Sequence, residues 1–425
     1  MIKKLLTYVT GEVSIKAIGF LMIPLYSHLI SPEEYGVLGF LNALVAFLPF
    51  ILTFYYLYGY VRFSLDTQST EILSTFVAMG LVLNLFFMTV SIGIYFTSFR
   101  QYYTIEWVYF LLAISASASI FVFQILQMHY RSQQMASRYL RFSLLYALIT
   151  TFLNIALLLW LKDKILALLL SSLLTNLLMS LIAFILLRNT ISLKYISWKL
   201  SLNVLRYTIP LVPGAISLLL FSQADKLILF HYVSTTELGV YVMAFTLGLS
   251  MSYIGSALFM SYQPMFYTHA TKKTPEKSVE GFKNSLIILV GGLTLVLVVI
   301  KIAYLLIDSR YAEGEEYAMI IAVAYSLLAF AQLLELHLTY LQRTGLVSLV
   351  YTIGGIVNIV LLYFFIQAFG ALGASLALLL SSLIMACLMY LLGQKYYYLP
   401  YDRTILYFYF FSIAIILGGI FVIAP

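Results

Sequence analysis

Cysteine is almost missing from this sequence. Cys387 is the only one in 425 residues, so no disulfide closes within one chain and no thiolate metal site assembles. Charge is scarce as well: 10% of residues are Asp, Glu, Lys or Arg against 63% hydrophobic. A water-soluble globule needs a mixed-charge surface that so few ionisable groups cannot cover. There is no phosphate-binding glycine loop, no His/Glu metal spacing on a helix and no outer loop long enough to hold an active site. Catalysis is therefore the weaker class, and no metal site is expected.

What the chain does have is long apolar runs. Mean hydropathy is +0.99, and thirteen runs of roughly 20 residues, each enough to cross about 30 Å of hydrocarbon at 1.5 Å per residue, alternate with short polar breaks. They lie near 6–30, 37–60, 74–98, 107–128, 142–160, 165–187, 207–231, 238–262, 284–307, 317–341, 347–367, 371–393 and 404–424. Gly and Pro are frequent and two-residue alternation is absent, which predicts helices. The first run begins after Lys3 and Lys4 with no small-residue cleavage site, so it is expected to be a retained span rather than a signal peptide.

Basic residues set the expected orientation, because cytoplasmic loops collect Lys and Arg. With the N-terminus inside, seventeen of them fall in inner segments and four, Arg100, Lys162, Lys164 and Arg310, in outer ones. The formal charge of +7 is then mostly topogenic, and nucleic-acid binding is a poor reading since the sequence shows no soluble basic domain. The tyrosines from Tyr55 to Tyr60 and from Tyr396 to Tyr398 fit aromatic belts at the inner interface. The segment from Arg188 to Arg206 mixes apolar residues with Lys194 and Lys199. It fits either a linker lying on the anionic inner leaflet or an ordinary topogenic loop.

The chain also repeats itself. Shifted by 203 positions, residues 5–48 fall on a second copy, with five identities in the ten residues from His28 to Val37: His28/His231, Ser31/Ser234, Glu34/Glu237, Gly36/Gly239 and Val37/Val240. An even number of spans separates the copies, so the repeats are parallel. The expected fold is an all-α polytopic membrane protein of two parallel-repeat six-helix bundles around a central cavity, plus one extra C-terminal helix. Its expected parts are an N-terminal lobe, 1–190; a cytoplasmic linker, 191–202; a C-terminal lobe, 203–393; and the extra helix, 394–425.

Ionisable groups inside spans cost roughly 2.5 to 3.5 kcal/mol each on insertion scales and normally face protein or water. Here they are Glu12 and Lys16 in span 1, Asp225 and Lys226 in span 7, Lys301 in span 9, and Glu335 with His337 in span 10. Glu12 and Lys16 have the favourable order for an intrahelical pair. They read either as a self-neutralised pair or, with Lys16 roughly 15 Å into the membrane, as a cation facing a cavity. Pro24 is expected to kink that helix. Asp225 and Lys226 are adjacent, about 100° apart on a helix, so one is expected to snorkel while the other makes an interlobe bridge. Lys301 fits snorkelling or a cavity role, and His28 and His231 fit interface polar groups. Glu335 is a candidate proton or sodium site, or a partner for a residue such as Lys16. Small-residue runs such as Ser115–Ser119 and Gly354-Gly355 suit close helix contact.

Several stretches resemble the polysaccharide flippases of the multidrug/oligosaccharidyl-lipid/polysaccharide exporter superfamily, the O-antigen and capsule repeat-unit type. They are residues 24–39 from Pro24 to Gly39, 207–213 from Tyr207 to Pro213, 223–229 around Asp225-Lys226, 237–241, and the turn from Tyr262 to Phe266. The resemblance covers the first twelve spans. It implies alternating-access transfer of an undecaprenyl-diphosphate-linked oligosaccharide from the cytoplasmic to the outer leaflet of a bacterial plasma membrane, alongside polysaccharide assembly machinery. It also implies a cationic cavity, for which Lys16, Lys226 and Lys301 are the candidates, with Glu12, Asp225 and Glu335 as ion-coupling or salt-bridge groups. No cofactor is implied beyond a coupling proton or sodium ion. Relatives commonly have twelve or fourteen spans, so a thirteenth departs from the pattern. The competing readings are a cation-coupled multidrug exporter, which favours acidic cavities, and a membrane-embedded polysaccharide polymerase or acyltransferase, which the short loops disfavour.

Overall fold

A computed structural model describes residues 18–64, 66–99 and 105–423. Among the described residues all regular structure is helical, and nine helices are long and apolar enough to cross a membrane. Two more, Pro32–Leu52 and Val212–Tyr232, have 21 residues each. The 53-residue helix Thr344–Tyr396 is two spans broken at Gly370, whose φ of 56° is left-handed. With the described part of the first run, Ile18–Leu29, each of the thirteen runs falls on a helix. The chain is a multi-pass all-α membrane protein.

In chain order the helices are α1 (Ile23–Leu29), α2 (Pro32–Leu52), α3 (Gly59–Phe63), α4 (Ser69–Ile94), α5 (Trp107–Ser119), α6 (Phe121–Ser132), α7 (Ala136–Trp160) and α8 (Lys164–Leu187). After these come α9 (Trp198–Thr208), α10 (Val212–Tyr232), α11 (Thr235–Gly248), α12 (Ser250–Thr271), α13 (Pro275–Leu306), α14 (Gly314–Tyr340), α15 (Thr344–Tyr396) and α16 (Arg403–Ile423). The repeat is visible in their ends. Both α1 and α10 stop two residues before a serine-capped helix: the Ser31 backbone N–H and hydroxyl donate to Glu34, and Ser234 Oγ accepts from the Glu237 N–H. Such boxes satisfy N–H groups that a helix start leaves open.

The described residues divide by packing into two compact units. One holds those before Ile23 together with Val37–Leu219; the other holds Ile23–Gly36 and everything from Leu220 on. In the first unit, small residues let α5 and α8 approach. Asn176 Nδ2 donates to the Ala116 carbonyl at 2.8 Å, and Tyr146 donates to Asn176 Oδ1 at 3.0 Å. The span expected at 37–60 ends instead at Leu52. Phe54 and Tyr55 turn left-handed, and the following residues fold back as a buried elbow. Tyr56 and Tyr60 are consequently core residues packed on Phe76, with hydroxyls paired to Ser201 and to His129. This corrects the belt reading for those two: a phenol whose oxygen is paired inside the protein has no need of the headgroup layer.

The division of the chain differs from the expected boundaries in four places, the first being that residues 203–219, expected in the C-terminal lobe, belong to the first unit. The stretch 191–202 does not stand between lobes. It packs on the first unit, where Ser192 and Ser197 N–H groups donate to Ser74 and Thr75 at 2.9 and 3.0 Å. Residues 23–36 pack with the second unit although their sequence copy places them in the first repeat. The helical path is interrupted at Met22, two residues before Pro24, where the proline ring removes a donor and crowds the preceding turn. From there the segment runs to a crossing at which the repeat-equivalent Gly36 and Gly239 meet. A Cβ on Gly36 would lie 2.0 Å from the Thr235 carbonyl oxygen, and one on Gly239 1.7 Å from that of Pro32. Only glycine permits that approach.

The thirteenth span, α16, is likewise built into the second unit rather than appended to it. Fully buried Tyr409 donates to the Ser326 carbonyl at 3.0 Å and stacks on Phe330 at 5.1 Å. Ahead of it, Tyr401 stacks on Phe282 at 4.2 Å and pairs with His337 Nε2. Elsewhere in this unit Gly354 makes room for Met385, and Asn358 donates to Ser381 at 3.0 Å, holding the two halves of α15 together. Packing and interhelical hydrogen bonds carry helix association where lipid supplies little hydrophobic drive.

Candidate functional site

Two carboxylates of the second unit, Asp225 buried and Glu335 half-buried, are built the same way. Asp225 on α10 accepts from the Tyr241 hydroxyl of α11 at 2.6 Å. Glu335 on α14 accepts from the Tyr351 hydroxyl of α15, also at 2.6 Å. Each tyrosine follows its acid by sixteen positions. In an antiparallel helical hairpin, residues equally far from the turn face each other. Neither tyrosine stands out in the sequence as the partner of an acid; equal spacing about the turn is the signal.

Around Asp225 the two adjacent charges meet each other, contrary to the expectation that one snorkels away. Lys226 Nζ lies 3.2 Å from Asp225 Oδ1, donates to the Ser222 carbonyl at 3.0 Å, and sits 3.5 Å from the Phe245 ring centroid. Both residues are 5% exposed. The 100° between neighbouring helix positions is closed by the lysine's flexible stem, which curls back because an unpaired charge in a low-dielectric interior costs several kcal/mol. Carboxylate, ammonium, phenol and ring face thus form one neutral cluster within the unit.

Glu335 is different. Partly exposed on α14, it has no ion-pair partner among the described residues. Its neighbour Thr339 accepts from Tyr267 at 3.0 Å, which in turn accepts from Gln263 at 3.4 Å. The same helix turns His337 the other way, into the aromatic seam under α16, stacked on Phe266 at 5.4 Å. Lys301 pairs with Glu315 while its side chain is 52% exposed, so it is a surface cation at a helix end. Glu12 and Lys16 lie outside the described residues. Of the four residues singled out by sequence that lie among the described residues, the structure brings together Asp225 and Lys226.

A clasp at the repeat segment was not foreseen either. Arg310 donates to both Asp308 oxygens at 2.9 and 3.1 Å and to the Ser27 carbonyl at 3.1 Å, while the Asp308 N–H donates to Ser27 Oγ at 3.1 Å. Tyr311 donates to the Ile30 carbonyl at 3.1 Å, and His28 adds contacts to Leu306 and Asp308. His28 and His231 are both exposed. The Arg310 hydrogen bonds hold the Asp308 carboxyl down at about 2, from an ordinary 3.8. A depressed carboxylate contributes stability that is present above its unfolded value and lost as pH falls through the folded one. The clasp is thus expected to hold at pH 5 and to weaken from about pH 4 toward 2. The protection factor of the Asp308 amide, its exchange relative to an unprotected amide at the same pH, checks this in the parent and in Asp308→Asn: protection should fall in the parent over that window and be low throughout in the variant.

Compared with solved structures, this fold is similar to those of several membrane transporters. An inward-facing multidrug resistance MATE family transporter of the MOP superfamily matches with a TM-score of 0.70 at 14% identity, over 91% of this chain and 98% of that one. The lipid II flippase MurJ in an inward closed conformation matches with a TM-score of 0.70 at 13% identity, over 98% and 91%. A MOP superfamily transporter from Pyrococcus furiosus, described by the reversed polarity of its binding pocket, matches with a TM-score of 0.57 at 12% identity, over 92% and 95%. At such identities the likeness is one of fold. No protein-family model and no curated protein matches the sequence.

Proposed function

We propose that this chain is a flippase that carries an undecaprenyl-diphosphate-linked oligosaccharide from the cytoplasmic to the outer leaflet of a bacterial plasma membrane, with its N-terminus inside, for surface polysaccharide assembly. The observation that carries the reading is a transporter fold matched over nearly the whole chain in a sequence whose spans hold lysines at 16, 226 and 301. With Lys226 neutralised by Asp225 and Lys301 a surface cation paired with Glu315, the free positive charge of this reading is Lys16, which suits a diphosphate and repels cationic drugs. In this reading Lys16 meets the diphosphate near mid-membrane. Lys226 and Lys301, held by Asp225 and Glu315, brace the helices of their own unit, and Glu335 takes a coupling proton or sodium ion, with Glu12 as the charge balance of Lys16. An interior-negative membrane drives outward movement of two negative charges by up to roughly 4.6 kcal/mol per 100 mV, from about 2.3 per charge, so the substrate's own charge supplies direction.

The test is flipping of fluorescent lipid-diphosphate glycans in reconstituted vesicles. Losing a charge-assisted contact of about 1.5–3 kcal/mol predicts that Lys16→Gln slows flipping by roughly 10- to 100-fold, with membrane insertion unchanged and Lys16→Arg retaining most activity. Equal rates for Lys16→Gln and the parent would remove Lys16 from the reading. Uptake of cationic dyes with no glycan movement would replace the flippase by an exporter.

A further inference from the structure

The eleven-residue helix α9 is too short to cross a membrane and has one face already committed. Leu200, Ser201, Val204 and Thr208 are buried in the first unit, with Val204 against Gly59, where a Cβ would come within 2.7 Å, and Ser201 beneath Tyr56. At 100° per residue the opposite face centres on Lys199 and Arg206, both exposed, with Trp198 and Leu202 along one edge. Trp198 is 64% exposed, Leu202 53% and the preceding Leu193 85%. From Arg188 to Leu211 there are four basic residues and no acidic one. The segment joins the end of spanning helix α8 to the start of α10, so it must lie level with a membrane surface.

We propose that α9 and the turn before it form a built-in anchor for anionic phospholipid. Trp198, Leu202 and Leu193 enter the boundary between headgroups and acyl chains, and Lys194, Lys199 and Arg206 bind the headgroup phosphates above them. The geometry is that of an interfacial helix, apolar along one edge and basic beside it. An anionic bilayer surface is the occupant because every charged residue of the segment is basic, with an aromatic at the polar boundary and the helix fixed where headgroups must be. Since Ser192 and Ser197 tie the segment to Ser74 and Thr75, the bound lipid is coupled to α4 and the tyrosine elbow rather than to a loose loop.

The test uses Trp198 as its own reporter, in the full chain carrying Trp107→Phe and Trp160→Phe and reconstituted in mixed phosphatidylcholine and phosphatidylglycerol. One lipid at a time is replaced by its brominated form at equal mole fraction. Each basic side chain near an anionic surface is expected to enrich the anionic lipid by about fivefold at low salt, so brominated phosphatidylglycerol should quench Trp198 severalfold more than brominated phosphatidylcholine. High salt should erode that preference. The triple variant Lys194→Gln, Lys199→Gln, Arg206→Gln should bring the two lipids to parity while both still quench. Should that variant fail to fold, Lys199→Gln alone should lower the preference. Equal quenching by the two lipids in the parent would overturn the proposal, as would a preference untouched by the substitutions or no quenching by either lipid.

Discussion

Asp225→Ala is expected to lower stability by about 3–5 kcal/mol, the cost of leaving one charge of a buried pair without its partner. Lys226 stays fixed over Phe245 with only the Ser222 carbonyl to receive its protons, and the Tyr241 hydroxyl loses its acceptor. Thermal unfolding of the detergent-purified protein would show a midpoint lower by several degrees. The double variant Asp225→Leu, Lys226→Met is the informative companion. A buried ion pair replaced by apolar groups of similar size is often neutral or stabilising, so its midpoint should return to that of the parent. If it is stable and still flips glycan, the pair only positions helices; if it is stable but idle, the charges take part in the cycle. A parent-like midpoint for Asp225→Ala alone would contradict the buried-pair geometry.

Gly239→Ala carries the second large effect. Its Cβ would lie 1.7 Å from the Pro32 oxygen and 2.9 Å from the Gly36 nitrogen; both are backbone atoms, which no change of rotamer can move aside. Overpacking of this kind typically costs about 1–3 kcal/mol and sometimes more. Here relief requires residues 23–36 to lift off the second unit. Hydrogen exchange at the Asp308 amide, which donates to Ser27, should therefore accelerate by at least about tenfold, from a loss of roughly 1.4 kcal/mol or more. Gly36→Ala should do the same, since its Cβ meets Thr235. Gly291→Ala, with nothing within 4 Å, is the neutral control. Unchanged exchange in Gly239→Ala would show that the crossing can open without disturbing the clasp.

Much of this protein was legible in its sequence, and the reason is the solvent. A bilayer demands long apolar helices whose backbone polar groups are satisfied within each segment, so composition and run length alone predict thirteen helices, and among the described residues each run falls on one. The repeat was equally plain, because Ser31/Ser234 and Glu34/Glu237 are capping residues whose work is local. Local chemistry is what a linear pattern records.

What depends on which helices meet was not written there. The sequence shows Gly36 and Gly239 as an identity, but not that they touch; Asp225 and Lys226 as charges 100° apart, but not that the lysine curls back to close the gap. Nor does it show that Tyr56 and Tyr60 are core rather than belt, or that α16 is fastened through Tyr409 and Tyr401. Hydropathy registers only the transfer of a side chain out of water. It is blind to which protein atoms receive that side chain, and in a membrane, where the lipid is as apolar as any leucine, close packing and hydrogen-bond partners alone decide that choice.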